Sequence, residues 1–109
     1  GDRLDGHFVQ GHIDGTAAVI EVRRSDREYV IGLRPDEHLT PYMVPKGSVA
    51  IDGVSMTVNE VSGRRFGVNV IPITQRETNL GQLAVGERVN LEIDLLARYV
   101  ARLMAKDIE

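Results

Sequence analysis

Few side chains in this chain have types and spacing that bear on chemistry. His7 and His12 stand in the run Gly6-His7-Phe8-Val9-Gln10-Gly11-His12. Imidazole ordinarily titrates near neutrality, so such a pair can act as a general base or hold a metal. On an unbroken strand their spacing puts them on opposite faces, and a bulge at Gly11 would change that. No third ligand stands at a suitable distance along the chain, so no metal site is expected. The plain alternative is a strand-end histidine tied up in a hydrogen bond. His38, in a polar stretch, is expected at the solvated surface. Val54-Ser55-Met56-Thr57-Val58 alternates, with Ser55 and Thr57 on one face and the apolar residues on the other. Hydroxyls at the mouth of a barrel can bind a polar heterocycle, and a solvated strand with cross-strand threonine pairing gives the same pattern. Asp94 precedes a helical pattern and is either its N-cap or a carboxylate at a pocket rim. Lys46, before Gly47, is either a turn residue or a cation over a ligand.

The elements that must position these residues are short. Eleven glycines separate runs rich in Val and Ile, which suits a small all-β domain. Gly6–Ile13 reads as a first strand, with Thr16–Arg23 a second stretch or its bent continuation. Glu28–Leu33 follows, then a helical turn that opens at Pro35-Asp36-Glu37 and ends near Met43. Ser48–Asp52 and Val54–Val61 flank Gly53, and Arg65–Ile71 returns after a hairpin turn at Ser62-Gly63. Pro72 ends that strand, Thr74–Leu80 is helical, and Arg88–Ile93 is the last strand. In Leu95–Ala105 the period changes, and Leu96, Tyr99, Val100, Leu103 and Met104 share one side. An antiparallel sheet of this size closes as a small barrel, over residues 1–94, with a helix and tail over 95–109. The sequence shows no internal repeat.

Composition bounds the functions. The 109 residues suit one domain, and hydrophobic and charged residues at 42% and 27% are an ordinary globular balance. With a net charge of −3 and no tryptophan, neither nucleic acid nor an anionic membrane is an expected partner. Cysteine is absent, which excludes a thiolate nucleophile and a cysteine zinc site. No signal-peptide pattern opens the chain, and its first residues read as part of a longer protein. A cytoplasmic location is expected.

Four segments together resemble riboflavin synthase. They are Gly6–Gly15, Lys46–Val58, Ile71-Pro72-Ile73-Thr74 with Thr78-Asn79-Leu80, and Gly86–Asp94. Their order and spacing follow the family's carboxy-terminal half. The resemblance implies a six-stranded antiparallel Greek-key barrel with a C-terminal helix, paired with an amino-terminal barrel in a homotrimer. It implies transfer of a four-carbon unit between two molecules of 6,7-dimethyl-8-ribityllumazine. The products would be riboflavin and 5-amino-6-ribitylamino-uracil, and no metal or redox cofactor would take part. His12 would move the proton, with His7 supporting it. Ser55 and Thr57 would bond the ring edge, Lys46 would stand near the pocket, and Asp94 would work with a serine of the partner barrel. Gly53, Ile71 and Thr74 would contact the pyrimidine edge and the ribityl chain. The family often has Leu at Met56 and a polar residue at Ile73. With one barrel of each composite site, this chain is expected to bind ligand and turn over little.

Overall fold

The structure is a computed structural model that describes residues 11–94 and, beyond them, Leu96, Arg98, Tyr99, Arg102 and Leu103. Six antiparallel strands close into a barrel in the order β1-β2-β5-β4-β3-β6. They are β1 (Gly15–Arg24), β2 (Tyr29–Pro35), β3 (Ser48–Ile51), β4 (Val54–Ser62), β5 (Arg65–Asn69) and β6 (Arg88–Ile93). A short helix, α1, covers Pro72–Glu77, and 3-10 helices cover Glu37–Tyr42 and Asn79–Gln82. Alternation decides which side chains point inward. Val49, Ile51, Met56, Val58, Leu91 and Ile93 are buried in the barrel, joined by Ile31, Leu33, Phe66 and Val68. Each such side chain contributes roughly 1.5–3 kcal/mol by leaving water. Closing the sheet leaves no unpaired long edge among the described residues.

The barrel repeats its plan. In each half a bulged hairpin leads into short helical structure and then a returning strand: β1, β2 and β3, then β4, β5 and β6. Val19 N–H donates to Glu87 O at 2.8 Å and Gly86 N–H to Val19 O at 2.9 Å; Val58 N–H donates to Gly47 O at 2.8 Å and Lys46 N–H to Val58 O at 2.7 Å. The bulges lie between Val19 and Glu21 and between Val58 and Glu60. Gly32 pairs with Gly67, and Ile51 with Leu91. A pseudo-twofold axis through those two pairs relates Thr16 to Ser55, Ala18 to Thr57 and Arg88 to Ser48. It also relates Asp36 to Ile71, the residues that precede the first helical turn of each half. The matched residues differ in type, which is why the sequence shows no repeat.

The expected elements hold in kind and order, with corrections at their ends. Gly11–Ile13 is not strand, and β1 starts at Gly15; the rest of the expected first strand, His7 included, lies outside the described residues. β5 stops at Asn69, and Pro72 opens α1 rather than merely ending the strand, because its fixed φ suits a first helical position. Beyond β6 the chain is helical at Leu96, Arg98, Tyr99, Arg102 and Leu103. Leu96, Tyr99 and Leu103 are exposed at 67%, 64% and 62%, so these three do not pack on their own barrel. Val100 and Met104 lie outside the described residues.

Candidate functional site

The sheet register sets out a face on the outside of β4, β3 and β6. Thr57 stands opposite Ser48, and Ser55 opposite Ala50, which in turn stands opposite Glu92. Directly opposed residues share a face, so hydroxyls, one small side chain and a carboxylate lie side by side. Met56 and Val58 point into the core, while Thr57 is exposed and Ser55 half-buried, as the alternation requires. The tight turn Asp52-Gly53 joins β3 to β4 with φ of 48° and 83°. Both central residues left-handed is the hairpin geometry that Asp-Gly favours. Asp52 is held by Asn90 N–H at 2.7 Å and by the Asn79 amide at 2.8 Å. Beside it opens a cleft of about 460 Å³, lined by Gly11, Ile13, Ala50, Asp52, Gly53, Asn90, Leu91 and Glu92; of the described residues expected at the site only Gly53 lines it, and Ser55, Thr57, Lys46, Ile71, Thr74 and Asp94 do not. That volume suits a small heterocycle.

Lys46 is exposed in the turn that leads into β3. Its N–H reaches Val58 O, next to Thr57, and its φ is 69°. A non-glycine residue in that conformation is strained, and such strain concentrates at functional sites. Ile71 is 52% exposed just before α1. Thr74 is 3% exposed, and its carbonyl accepts the Thr78 hydroxyl at 2.6 Å and the Thr78 N–H at 3.1 Å. Asp94 acts as an N-cap: its Oδ1 accepts Leu96 N–H at 3.1 Å, and its carbonyl accepts Arg98 N–H at 3.2 Å. His12 is exposed on the irregular segment that precedes β1, and His38 is exposed with its ring 3.2 Å from Asp14 O.

Two residues that matter here escaped the sequence reading. Glu92 is only 8% exposed and accepts Gly11 N–H at 2.8 Å, which fixes the residue before His12. Asp14 accepts Ile93 N–H at 2.7 Å and pairs with Arg98, so it ties the segment carrying His12 to the start of the helix. Burial raises the Asp14 pKa, but the Arg98 and Ile93 hydrogen bonds and the nearby Arg98 and His12 charges outweigh it and hold the carboxyl below its usual range. The alternation of β6 signals that Glu92 points outward, and nothing local signals its cover.

A family model, the lumazine-binding domain, matches residues 10–94. The chain belongs to the lumazine-binding domain family. It is 46% identical over 105 residues to a riboflavin synthase of Photobacterium phosphoreum, covering 96% of this chain and 48% of that protein. It is 43% identical over 107 residues to a riboflavin synthase of Mycobacterium tuberculosis, covering 95% of this chain and 53% of that one. The chain thus spans about half the length of the curated relatives it matches. Among solved structures it is similar to LumP complexed with riboflavin, with a TM-score of 0.77 and 26% identity over 85% of this chain and 50% of that one. The matched span of this lumazine-binding domain takes in all six strands and the whole outward face.

Proposed function

We propose that this barrel is the carboxy-terminal, lumazine-binding half of a riboflavin synthase, with residues 1–94 as the barrel and 95–109 as its helix and tail. The observation that carries the reading is the outward face on which Thr57, Ser48, Ser55 and Glu92 adjoin beside an open cleft. The identity with riboflavin synthases supports it. In this reading the ring edge of 6,7-dimethyl-8-ribityllumazine, or of the product riboflavin, lies against Ser55 and Thr57. Gly53, Ile71 and Thr74 hold its pyrimidine edge and ribityl chain. The donor's C7 methyl is acidic because its anion delocalises into the ring. His12, with His7, takes and returns that proton, and Lys46 supplies positive charge near the anion. Asp94 faces the barrel that completes the site. That barrel belongs to the amino-terminal half of a neighbouring subunit in a cytoplasmic homotrimer, and the exposed Leu96, Tyr99 and Leu103 suit helix association in it.

Quenching of riboflavin fluorescence on titration with this chain tests the binding step. A saturable curve is expected, weakened about threefold to tenfold by Thr57→Ala, the worth of one hydrogen bond. A flat titration to millimolar chain overturns the reading. In the full-length protein, His12→Ala and Asp94→Ala are expected to lower kcat more than they raise KM. A barrel that holds ligand without turning it over is the second reading, favoured by the likeness to LumP with riboflavin bound. Full-length protein that binds the lumazine and forms no riboflavin would establish it.

A further inference from the structure

The pseudo-twofold axis places a second face on the barrel, related to the first residue by residue. Thr16 stands for Ser55, Ala18 for Thr57, Arg88 for Ser48 and Asp36 for Ile71. This second face is filled by the chain itself. Asp36 Oδ2 accepts Thr16 N–H at 2.8 Å, and Asp36 N–H donates to Thr16 O at 2.9 Å. Arg88 Nη2 reaches the Thr16 hydroxyl at 2.6 Å and Asp36 Oδ1 at 3.0 Å. Gly15 lets the helix press close, since a side chain there would meet Leu39 Cδ1 at 2.8 Å and Asp36 Oδ2 at 2.9 Å. On the candidate ligand face the matching positions hold Val54, Ile71 and Ser48. The Ile71 side chain carries no carboxylate to match that of Asp36, and Ser48 is too short to reach across the face as Arg88 does.

We infer that Asp36 and Arg88 act as a built-in occupant of a second heterocycle site, which keeps the barrel to a single ligand. Asp36 presents an oxygen to a strand N–H and an amide N–H to the same residue's carbonyl. A ring with a carbonyl beside an N–H, as in the pyrimidine edge of a flavin, offers the same acceptor and donor side by side. The latent site is therefore one for a flavin-like or pteridine-like edge. The inference rests on the reading of the β4 face as the ligand face.

The experiment is the stoichiometry of riboflavin binding to this chain, by fluorescence titration and equilibrium dialysis. The parent is expected to bind one riboflavin, and Asp36→Ala with Arg88→Ser is expected to bind two. A parent that binds none overturns the function reading itself. A parent with one site and a folded double variant that also has one overturns only the present inference. Where that variant fails to fold, the reciprocal pair decides. Ile71→Asp with Ser48→Arg should rebuild the internal network on the open face, so binding is lost while the melting temperature stays within a few degrees of the parent. Binding retained in that chain, or lost together with a large fall in melting temperature, overturns the inference.

Discussion

The two related outward faces of the barrel share one backbone plan and put it to different uses. On one outward face, made by β1, β6 and the residue that precedes the first helical turn, Asp36, Thr16 and Arg88 bond to one another and close it. On the other, made by β4, β3 and the residue that precedes α1, Ser55, Ser48 and Ile71 occupy the related positions. The same division shows at the turn before each returning strand: Gly86 has a φ of 100° and its counterpart Lys46 a φ of 69°. The face that closes on itself has glycine, which takes that conformation without steric cost, and the face with the candidate site keeps a strained cation. Register sets where a flat ring edge can bind a strand, and side chains decide whether the place is open.

The largest expected effect comes from breaking a contact only the second half makes. A side chain on Gly81 would stand 2.2 Å from Gln75 O, a backbone atom of α1 that cannot swing aside. Gly81→Ala is therefore expected to cost about 3 kcal/mol, the upper range for overpacking. Calorimetry should find melting lowered by roughly 10–20 °C, whereas a shift below a few degrees would show that α1 and the second 3-10 helix yield easily. Next in size is Asp14, whose counterpart across the axis is Gly53. Asp14→Ala removes the acceptor of Ile93 N–H and the partner of Arg98, and is expected to cost about 2 kcal/mol. Asp14 and Asp36 both sit below the usual carboxylate range, Asp36 chiefly because Thr16 N–H bonds it. A depressed folded pKa gives stability that is present above the unfolded value, near pH 4, and is lost as pH falls through the folded one. Urea unfolding at pH 7 and pH 3 should show Asp14→Asn and Asp36→Asn losing less on acidification than the parent. The smallest effect is a gain. Lys46→Gly gives the turn before β3 the residue of the turn before β6 and is expected to stabilise by about 1 kcal/mol, while lowering turnover in the full-length protein. Unchanged turnover would reduce Lys46 to a turn residue.

Local pattern carried much of this into the sequence. Arg88–Ile93 reads as a strand and is one, end to end, because a clean alternation follows a Gly-containing turn. The Ser55 and Thr57 face follows from the same period, and Asp52-Gly53 announces its hairpin. What was hidden depends on contacts distant along the chain. Glu92 is covered through Gly11, far away in sequence. The irregular path of Gly11–Ile13, in a segment that reads as strand, goes with Asp14 being held by Leu91 and Ile93 of β6. The pseudo-twofold relation lives in hydrogen-bond register, which residue types do not display when Arg answers to Ser and Asp to Ile.

Asp14 has a mechanical consequence. It sits just before β1, and its N–H donates to Leu91 O at 2.8 Å while its carboxylate holds Ile93 N–H. The chain therefore joins and leaves the barrel at neighbouring, antiparallel points, Gly15 pairing with Leu91. A pull on the flanking segments would load these bonds one after another, as a zipper is drawn, rather than all at once in shear. The Gly11 bond to Glu92 and then the Asp14 clasp take the load first. Once they give, β1 would peel from β6 starting at Gly15, while the far side of the barrel, where β2 meets β5, still carried no tension.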